Sequence, residues 1–375
     1  MSNLQNSVPA ETSRRITSLR FLLAVFVVFI HNNFTAESVA RAFEQDGAVI
    51  AVGQGAAGKW MQLFISQGIA RCAVPLFFLF AAYLQCKKDD FYGTLLRKKC
   101  RSLVLPFFLW PVLNIALFVG MKLAVAHLVP GLLARPEVIP QFSWTAADWL
   151  HAFFGYGKMD VGRTFGGYLV QMWFVRDLFI LIVLSPLIRR AVRSFPVCTL
   201  VAVSFFYFSD VRPLMVAAQA LFYYVLGFFW AEYDIPLFAI AERVKWRALI
   251  LLYLALWLAT WLAFGEYSPC YWFMVLAACL IMLKCAALIE RNERAFAAAE
   301  YLAPMSFWLF AVHNPLLNGF LVKLWLHFFP MTTPARCLAE YFCVNILTVA
   351  FGTASGLLLR KICPPLFSVL NGGRK

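Results

Sequence analysis

Charge is scarce in this 375-residue chain: only 14% of its residues are charged, against about 25% in a soluble domain. Acidic residues are the scarcer sign, 19 against 33 basic. A water-soluble globule has no surface to build from such a composition, and no polar stretch is long enough to bury a core of its own. The ten cysteines include no CxxC pair and no cysteine beside a histidine at ligand spacing, so neither a metal centre nor a redox motif is expected. Only Cys270 and Cys337 fall near predicted outer helix ends, and no disulfide is expected between them. Internal repeats and paired broken helices in matching halves are also missing, which weighs against many secondary transporters.

What the chain has instead is apolar length. It is 62% hydrophobic and 17% aromatic. Segments of about 20 residues, enough to cross a bilayer, fall at 16–36, 60–84, 103–127, 168–189, 213–233, 247–264, 271–289, 304–328 and 340–361. A shorter run at 195–208 completes an all-α polytopic membrane protein, a bundle of about ten transmembrane helices. The net charge of +14 then reads as the lysine and arginine excess of cytoplasmic loops, not as a nucleic-acid surface. Loops placed inside carry Arg14, Arg15, Lys87, Arg97 to Arg101, Arg189, Arg193, Arg243, Arg291 and Arg360, and the bias alternates loop by loop. Both termini are therefore expected in the cytoplasm. The whole of 1–375 is expected to form a single integral-membrane domain with 1–13 as a disordered tail, the first span being retained and not cleaved as a signal. Outer loops are expected at 37–59 and 128–167. In the second, Trp144, Trp149, His151, Phe153, Phe154 and Tyr156 suggest a helix lying at the interface, either as an aromatic belt or as a platform for sugar rings.

Against this apolar background the ionisable residues stand out. His31 ends the run Leu22 to Ile30, and an ionisable group at such a place is by default a functional candidate. Arg20 lies eleven residues earlier, on the same helix face and about 16 Å away along the axis. Arg71 lies halfway down the second span, four residues before Pro75, whose missing N–H frees a backbone acceptor. His313 precedes Asn314-Pro315, so a kink is expected at it, with Ser306 on the same face. Arg176 and Asp177 are neighbours about 100° apart and must reach different elements; Arg71 with Asp177 is one pairing to expect. Such groups converging in low dielectric mark a site, although a structural ion pair remains an alternative for each. Lys323 near a helix end can reach the headgroups. The cluster Arg97-Lys98-Lys99-Cys100-Arg101 either enforces topology or meets phosphates.

These residues fall into an order. Arg15-Ile-Thr-Ser-Leu-Arg-Phe21 through His31-Asn32, Arg71-Cys-Ala-Val-Pro-Leu-Phe-Phe-Leu-Phe-Ala-Ala-Tyr-Leu84, Arg101-Ser-Leu-Val-Leu-Pro106 with Trp110, Trp173-Phe-Val-Arg-Asp-Leu-Phe179 and Ser306 to His313 together resemble the acyltransferase 3 family of integral-membrane acyltransferases. The resemblance implies ten core helices, a cytoplasmic acyl-CoA donor (usually acetyl-CoA), and an acceptor hydroxyl on a surface polysaccharide, lipid-linked saccharide or similar envelope molecule. It places the family's essential first-helix histidine on His31, its arginine in that helix on Arg20, and its basic motif on Arg97, Lys99 and Arg101. The chain departs from the family in having Thr17 where an acidic residue is common, and Ala81-Ala82 where Ser-Gly is common.

The expected function is accordingly an acyl-CoA-dependent O-acetyltransferase of the bacterial inner membrane. His31 would act as general base, Arg71 or else Arg176 as oxyanion stabiliser, and His313 as orienting or relaying group. Arg20, Arg97, Lys99 and Arg101 would hold the donor's phosphates, and Arg176, Asp177 and Trp173 would serve substrate or structure. The expected partners are acyl-CoA as co-substrate, a saccharide or lipid-linked acceptor, and the bilayer; no resident cofactor, metal or nucleic acid is expected. Direct transfer and a covalent acyl-histidine both remain open. The competing class is a non-enzymatic transporter or flippase of a polar envelope molecule.

Overall fold

The computed structural model describes residues 8–32, 55–88, 91–128, 144–154, 168–265, 268–329 and 333–374. Among these there are helices and turns and no strand. Helix α1 is Ala10–His31, α2 Gly55–Ile65, α3 Ala73–Lys88, α4 Tyr92–Lys99, α5 Leu105–Leu128 and α6 Ala146–Phe154. Then follow α7 Trp173–Val183, α8 Ser185–Ser194, α9 Pro196–Ser209, α10 Ala218–Glu232, α11 Ala239–Arg243 and α12 Trp246–Ala259. The last are α13 Pro269–Arg291, α14 Glu293–Leu302, α15 Ser306–Val312, α16 Asn318–Phe328, α17 Pro334–Ile362 and α18 Pro364–Leu370. Local chemistry sets several starts: Ser268 caps α13, Asn292 caps α14 and Thr333 caps α17, each side chain accepting from a backbone N–H of the first turn, as capping residues do.

Six helical stretches are long and apolar enough to cross a membrane: Ala57–Lys88, Tyr92–Gly120, Trp246–Ala263, Pro269–Arg291, Glu293–Phe328 and Pro334–Ile362. The pair α7 and α8, bent by 60°, makes a further broken span, and α9 is a shorter apolar helix. The chain is a multi-pass helical membrane protein. Its boundaries differ from the sequence reading in informative places. Helix α1 begins at Ala10, so residues 10–13 are helical and not tail, and 33–36 lie outside the described residues. The basic cluster at 97–101 is not a loop: α4 runs through a π-turn at Cys100–Val104 into α5. Lysine, arginine and leucine are good helix formers, and Gly93 lies in the first turn of α4 without breaking it.

The described residues group into two compact units, one within Met1–His31, Trp60–Lys99 and Asp177–Phe307, the other within Asn32–Lys59, Cys100–Arg176 and Trp308–Lys375. In the first, residues assigned by charge to one side of the membrane meet. Arg15 reaches Glu290 (2.8 Å), Glu242 and Glu11, and Arg14 lies 3.9 Å from the Phe296 ring centroid. Burial works against the charge on Arg15, but the hydrogen bonds to Glu290 and Glu242 outweigh it and raise its pKa. Glu232 takes both Arg189 and Arg193, and Lys87 pairs with Asp234. Elsewhere in this unit Tyr207 stacks on Phe222 at 4.5 Å and donates to the Trp272 carbonyl. Helices α3 and α10 approach closely at Gly227, where an added Cβ would sit 2.4 Å from the Leu79 carbonyl and 3.0 Å from the Ala82 methyl. Small residues let membrane helices touch backbone to backbone, so Ala82 keeps the contact with a glycine supplied from the facing helix.

The second unit corrects the aromatic segment. Helix α6 stacks Trp149 on Phe153 and packs Phe153 against Phe108 (5.6 Å) and Phe154 against Phe107 (5.9 Å). Phe107 and Phe108 belong to the first turn of α5, about 30 Å from Leu128, where the chain leaves that helix. Helix α6 therefore packs at the start of α5 and not at its end, because its rings find apolar partners there; Tyr156 lies outside the described residues. At the other side of the unit Trp110 donates to the Leu370 carbonyl at 2.9 Å and Trp308 packs between Trp110 and Phe367. All ten cysteines are free thiols.

Replacing Gly227 by valine should cost about 1–3 kcal/mol, read as a lower midpoint in a denaturing-detergent titration of purified protein. An unchanged midpoint would refute the close α3–α10 contact.

Candidate active site

Helix α1 is unbroken from Ala10 to His31, so Arg20 and His31 share one face. Arg20 is exposed, His31 is half-buried and closes the helix, and Ala24 and Val27 between them are buried. The last carbonyls of a helix have no partner within it, and here Ser66 donates to the Phe29 carbonyl at 2.6 Å. This fastens the end of α1 to the turn that carries Arg71. Asn32, next in the chain, is fully buried, and neither atom of its side-chain amide finds a protein partner among the described residues.

Arg71 lies in a 3-10 turn at Ile69–Cys72, and its side chain bonds to Gln67, one turn earlier. The expected pairing with Asp177 does not form. The freed acceptor expected from Pro75 does not arise inside a helix either: Pro75 sits in the first turn of α3, where it lacks nothing, and the break comes earlier, at Gln67–Gly68. Gly68 is needed there, since a Cβ would lie 2.3 Å from the Phe64 carbonyl and 2.6 Å from the Tyr253 hydroxyl. The Nε of Arg71 is buried with no protein partner among the described residues.

Arg176 and Asp177 do reach different elements. Arg176 donates to the Phe154 carbonyl at 2.9 Å, at the end of α6. Asp177 is fully buried and accepts from the Ala217 N–H at 2.9 Å, capping α10. Trp173 opens α7 and is half-buried. His313 is fully buried at the break after α15, where Asn314 is extended and the chain continues through a π-turn. The imidazole Nδ1 faces the carbonyls of Phe310 (2.8 Å) and Leu309 (3.2 Å); it can meet them only as a donor, so in the neutral ring Nε2 carries the lone pair. Pro315 cannot bond the Ala311 carbonyl. Gln171 of the second unit does so instead, its Nε2 donating to Ala311 (3.2 Å) and Asn314 (2.6 Å). Ser306 turns back to the Ala303 carbonyl and not towards His313.

Arg97 and Arg101 are exposed one helical turn apart, with Lys99 half-buried between them. Beside α4 lies a cavity of about 270 Å³ lined by Tyr92, Leu95, Gln85, Cys86 and Arg189. The first unit thus brings together the ends of α1 and of the Arg71 turn. In the second, Gln171, two residues before Trp173, bonds the chain on either side of His313, and Arg176 bonds the end of α6.

Sequence reasoning overlooked Asn32, Gln67, Gln171 and Glu340. The first three are neutral and carry no charge signal; Gln171 was detectable as an amide facing a chain with a proline-freed carbonyl. Glu340 is 1% exposed in the second turn of α17; the predicted span at 340–361 began on it, which disguised it as a loop residue.

Fold and site together define a multi-pass helical membrane protein with ionisable groups held at helix ends and helix breaks. The family model described as "Acyltransferase domain" (Acyl_transf_3) matches residues 14–359, and the chain belongs to that acyltransferase 3 family. The succinoglycan biosynthesis protein ExoH of Rhizobium meliloti (strain 1021) is 25% identical over 379 residues, covering 97% of this chain and 93% of that protein. No solved structure matches it.

Gln171→Leu keeps the volume but leaves the Ala311 and Asn314 carbonyls without their donor. It should destabilise the protein by about 1–3 kcal/mol in the same detergent titration, and wild-type stability would contradict this role.

Proposed function

We propose that this protein moves an acyl group, acetyl in the first instance, from cytoplasmic acyl-CoA to a hydroxyl of a surface polysaccharide or lipid-linked saccharide at the bacterial inner membrane. Ten spans with both termini in the cytoplasm complete the reading. The observation that carries it is the bond from Ser66 to the Phe29 carbonyl, which fastens the turn bearing Arg71 to the helix end bearing His31. Membership of an acyltransferase family and the relative in polysaccharide biosynthesis support the class of reaction and of acceptor.

In this mechanism the His31 imidazole takes the proton of the acceptor hydroxyl as its oxygen attacks the thioester carbonyl. The tetrahedral oxyanion that forms meets the Arg71 guanidinium in a water-poor setting. Collapse expels the coenzyme A thiolate, which takes the proton back from His31. Arg20, Arg97, Lys99 and Arg101 hold the donor's phosphates as charge-assisted hydrogen-bond donors, and the cavity beside α4 receives part of the donor. Trapping a labelled acyl group on denatured protein would identify the acyl-histidine route instead.

His31→Ala, inserted and folded as wild type, should lose acyl transfer from labelled acetyl-CoA by at least about 100-fold. Full activity would refute the mechanism, and acceptor movement without acetyl-CoA consumption would favour a transporter. Arg97→Ala with Arg101→Ala should raise KM for the donor by about 10- to 100-fold with kcat less affected. An unchanged donor KM would remove these residues from the phosphate site.

A further inference from the structure

The cavity of the first unit sits at the 60° bend between α7 and α8. Pro186 cannot bond the Ile182 carbonyl four residues back, and Ser185 donates to it instead at 2.7 Å. Tyr92, which opens α4, donates to the Val183 carbonyl at 2.6 Å. The bend is thus satisfied from within and from α4, and the cavity beside it is walled by Tyr92, Leu95, Pro186, Arg189, Gln85 of α3 and Phe228 of α10. Gln85 is the distinctive wall. Its Oε1 accepts from the hydroxyl of the fully buried Tyr224 at 2.8 Å, which fixes the order of oxygen and nitrogen in the amide. Its Nε2 donates to no protein group among the described residues, and Gln85 is half-buried on the cavity wall.

Size and charge narrow what such a place can hold. Sites for whole drug-sized ligands begin near about 300 Å³, so a cavity of about 270 Å³ takes one ring-sized part of a larger molecule. Arg189 is already bonded to Glu232 at 3.2 Å, and a phosphate placed here would lie beside that carboxylate. A hydrocarbon chain would suit Leu95, Pro186 and Phe228 but leave the Gln85 donors bare. A flat neutral heterocycle meets both demands, with its faces against apolar and aromatic walls and its ring nitrogens towards the amide. Adenine sets an amino donor beside a ring-nitrogen acceptor, the pair that a glutamine amide matches. The Gln85 oxygen keeps a second lone pair for that amino group after Tyr224 has used one.

Helix α4 carries the same face on to charge. Tyr92, Leu95 and Lys99 stand at i, i+3 and i+7, one stripe of the helix, and Lys99 lies about 6 Å beyond Leu95 along the axis. A phosphate joined through one sugar to a base in the cavity therefore falls at the basic end of α4. We propose that the cavity is the adenine pocket of the acyl donor, with Gln85 reading the base and Lys99 meeting the phosphate beyond the ribose. This rests on the acyl-CoA reading above and adds to it which end of the donor enters the cavity, and which residue selects it.

Binding of ADP and IDP to detergent-solubilised full-length protein, followed by titration calorimetry, tests the pocket without any acyl transfer. IDP puts an oxo acceptor where ADP has the amino donor, so wild type should bind ADP at least about 10-fold more tightly. Gln85→Glu still accepts from Tyr224 and keeps the volume, but turns the donor end of the amide into an acceptor. It should weaken ADP by about 10- to 100-fold and abolish the preference over IDP. Lys99→Gln should weaken both nucleotides by the same factor, because their phosphates are the same. Equal affinities of wild type for ADP and IDP, or no binding of ADP, overturn the proposal with no variant needed; so does full ADP affinity in a folded Gln85→Glu protein. The two readings fail separately. Preference for ADP without consumption of acetyl-CoA keeps the pocket and refutes the acyltransferase, whereas acetyl transfer by a protein indifferent to the base does the reverse.

Discussion

A membrane helix must satisfy its own backbone, and the structure depends on where this chain does not. Wherever α1, the Arg71 turn, α10 or α15 ends or breaks, a carbonyl or N–H loses its helical partner, and hydrocarbon provides no substitute. Ser66 answers for Phe29, Asp177 for Ala217, Gln171 for Ala311 and Asn314, and His313 for Phe310. Each repair is a side chain from a different stretch of sequence, or from the broken turn itself. The repairs therefore do two jobs: they make the breaks tolerable, and they fix the orientation of the ionisable residues beside them.

The ion pairs act at another level. Arg15 with Glu290 and Glu242, and Glu232 with Arg189 and Arg193, join helix ends and leave the spans alone. Several of the partners are half exposed, where a pair contributes little beyond about 1 kcal/mol. Their value is in register. A helix that slid by one turn, about 5 Å, would separate Arg15 from Glu290 and displace Arg20 and His31 together.

The helical class and most spans were legible from hydropathy, because 18 or more apolar residues have few other uses in a chain so poor in charge. The grouping of charged loops was legible too: residues assigned to one side meet in the first unit. Breaks were harder. Pro75 drew attention because proline lacks an N–H, yet a proline in a first turn leaves no bond unmade, while Gly68, crowded by the preceding helix's carbonyls and the Tyr253 hydroxyl, gave no signal in one sequence. The cluster at 97–101 looked like a loop by charge, although its residues favour helix. Neutral amides escaped notice for the same reason that they suit the interior: Gln171 satisfies freed carbonyls without bringing a charge into the bilayer.

The fate of Arg71 bears most directly on chemistry. Had it paired with Asp177, the guanidinium would sit in a closed ion pair, and a developing oxyanion would compete with a carboxylate already in place. Its partner among the described residues is instead Gln67, a neutral amide that orients the group without compensating its charge, while Asp177 accepts from the start of α10. Keeping an unpaired cation in low dielectric is costly, and the cost falls if the cation's counter-charge arrives with the reaction. In the proposed mechanism an arginine arranged in this way would bind the transition state better than the ground state, which is the condition for accelerating the step at all. Under the same mechanism the bond from Ser66 to the end of α1 has a use beyond the backbone it satisfies: it would set the distance of the cation from the attacked carbonyl before the substrate arrives.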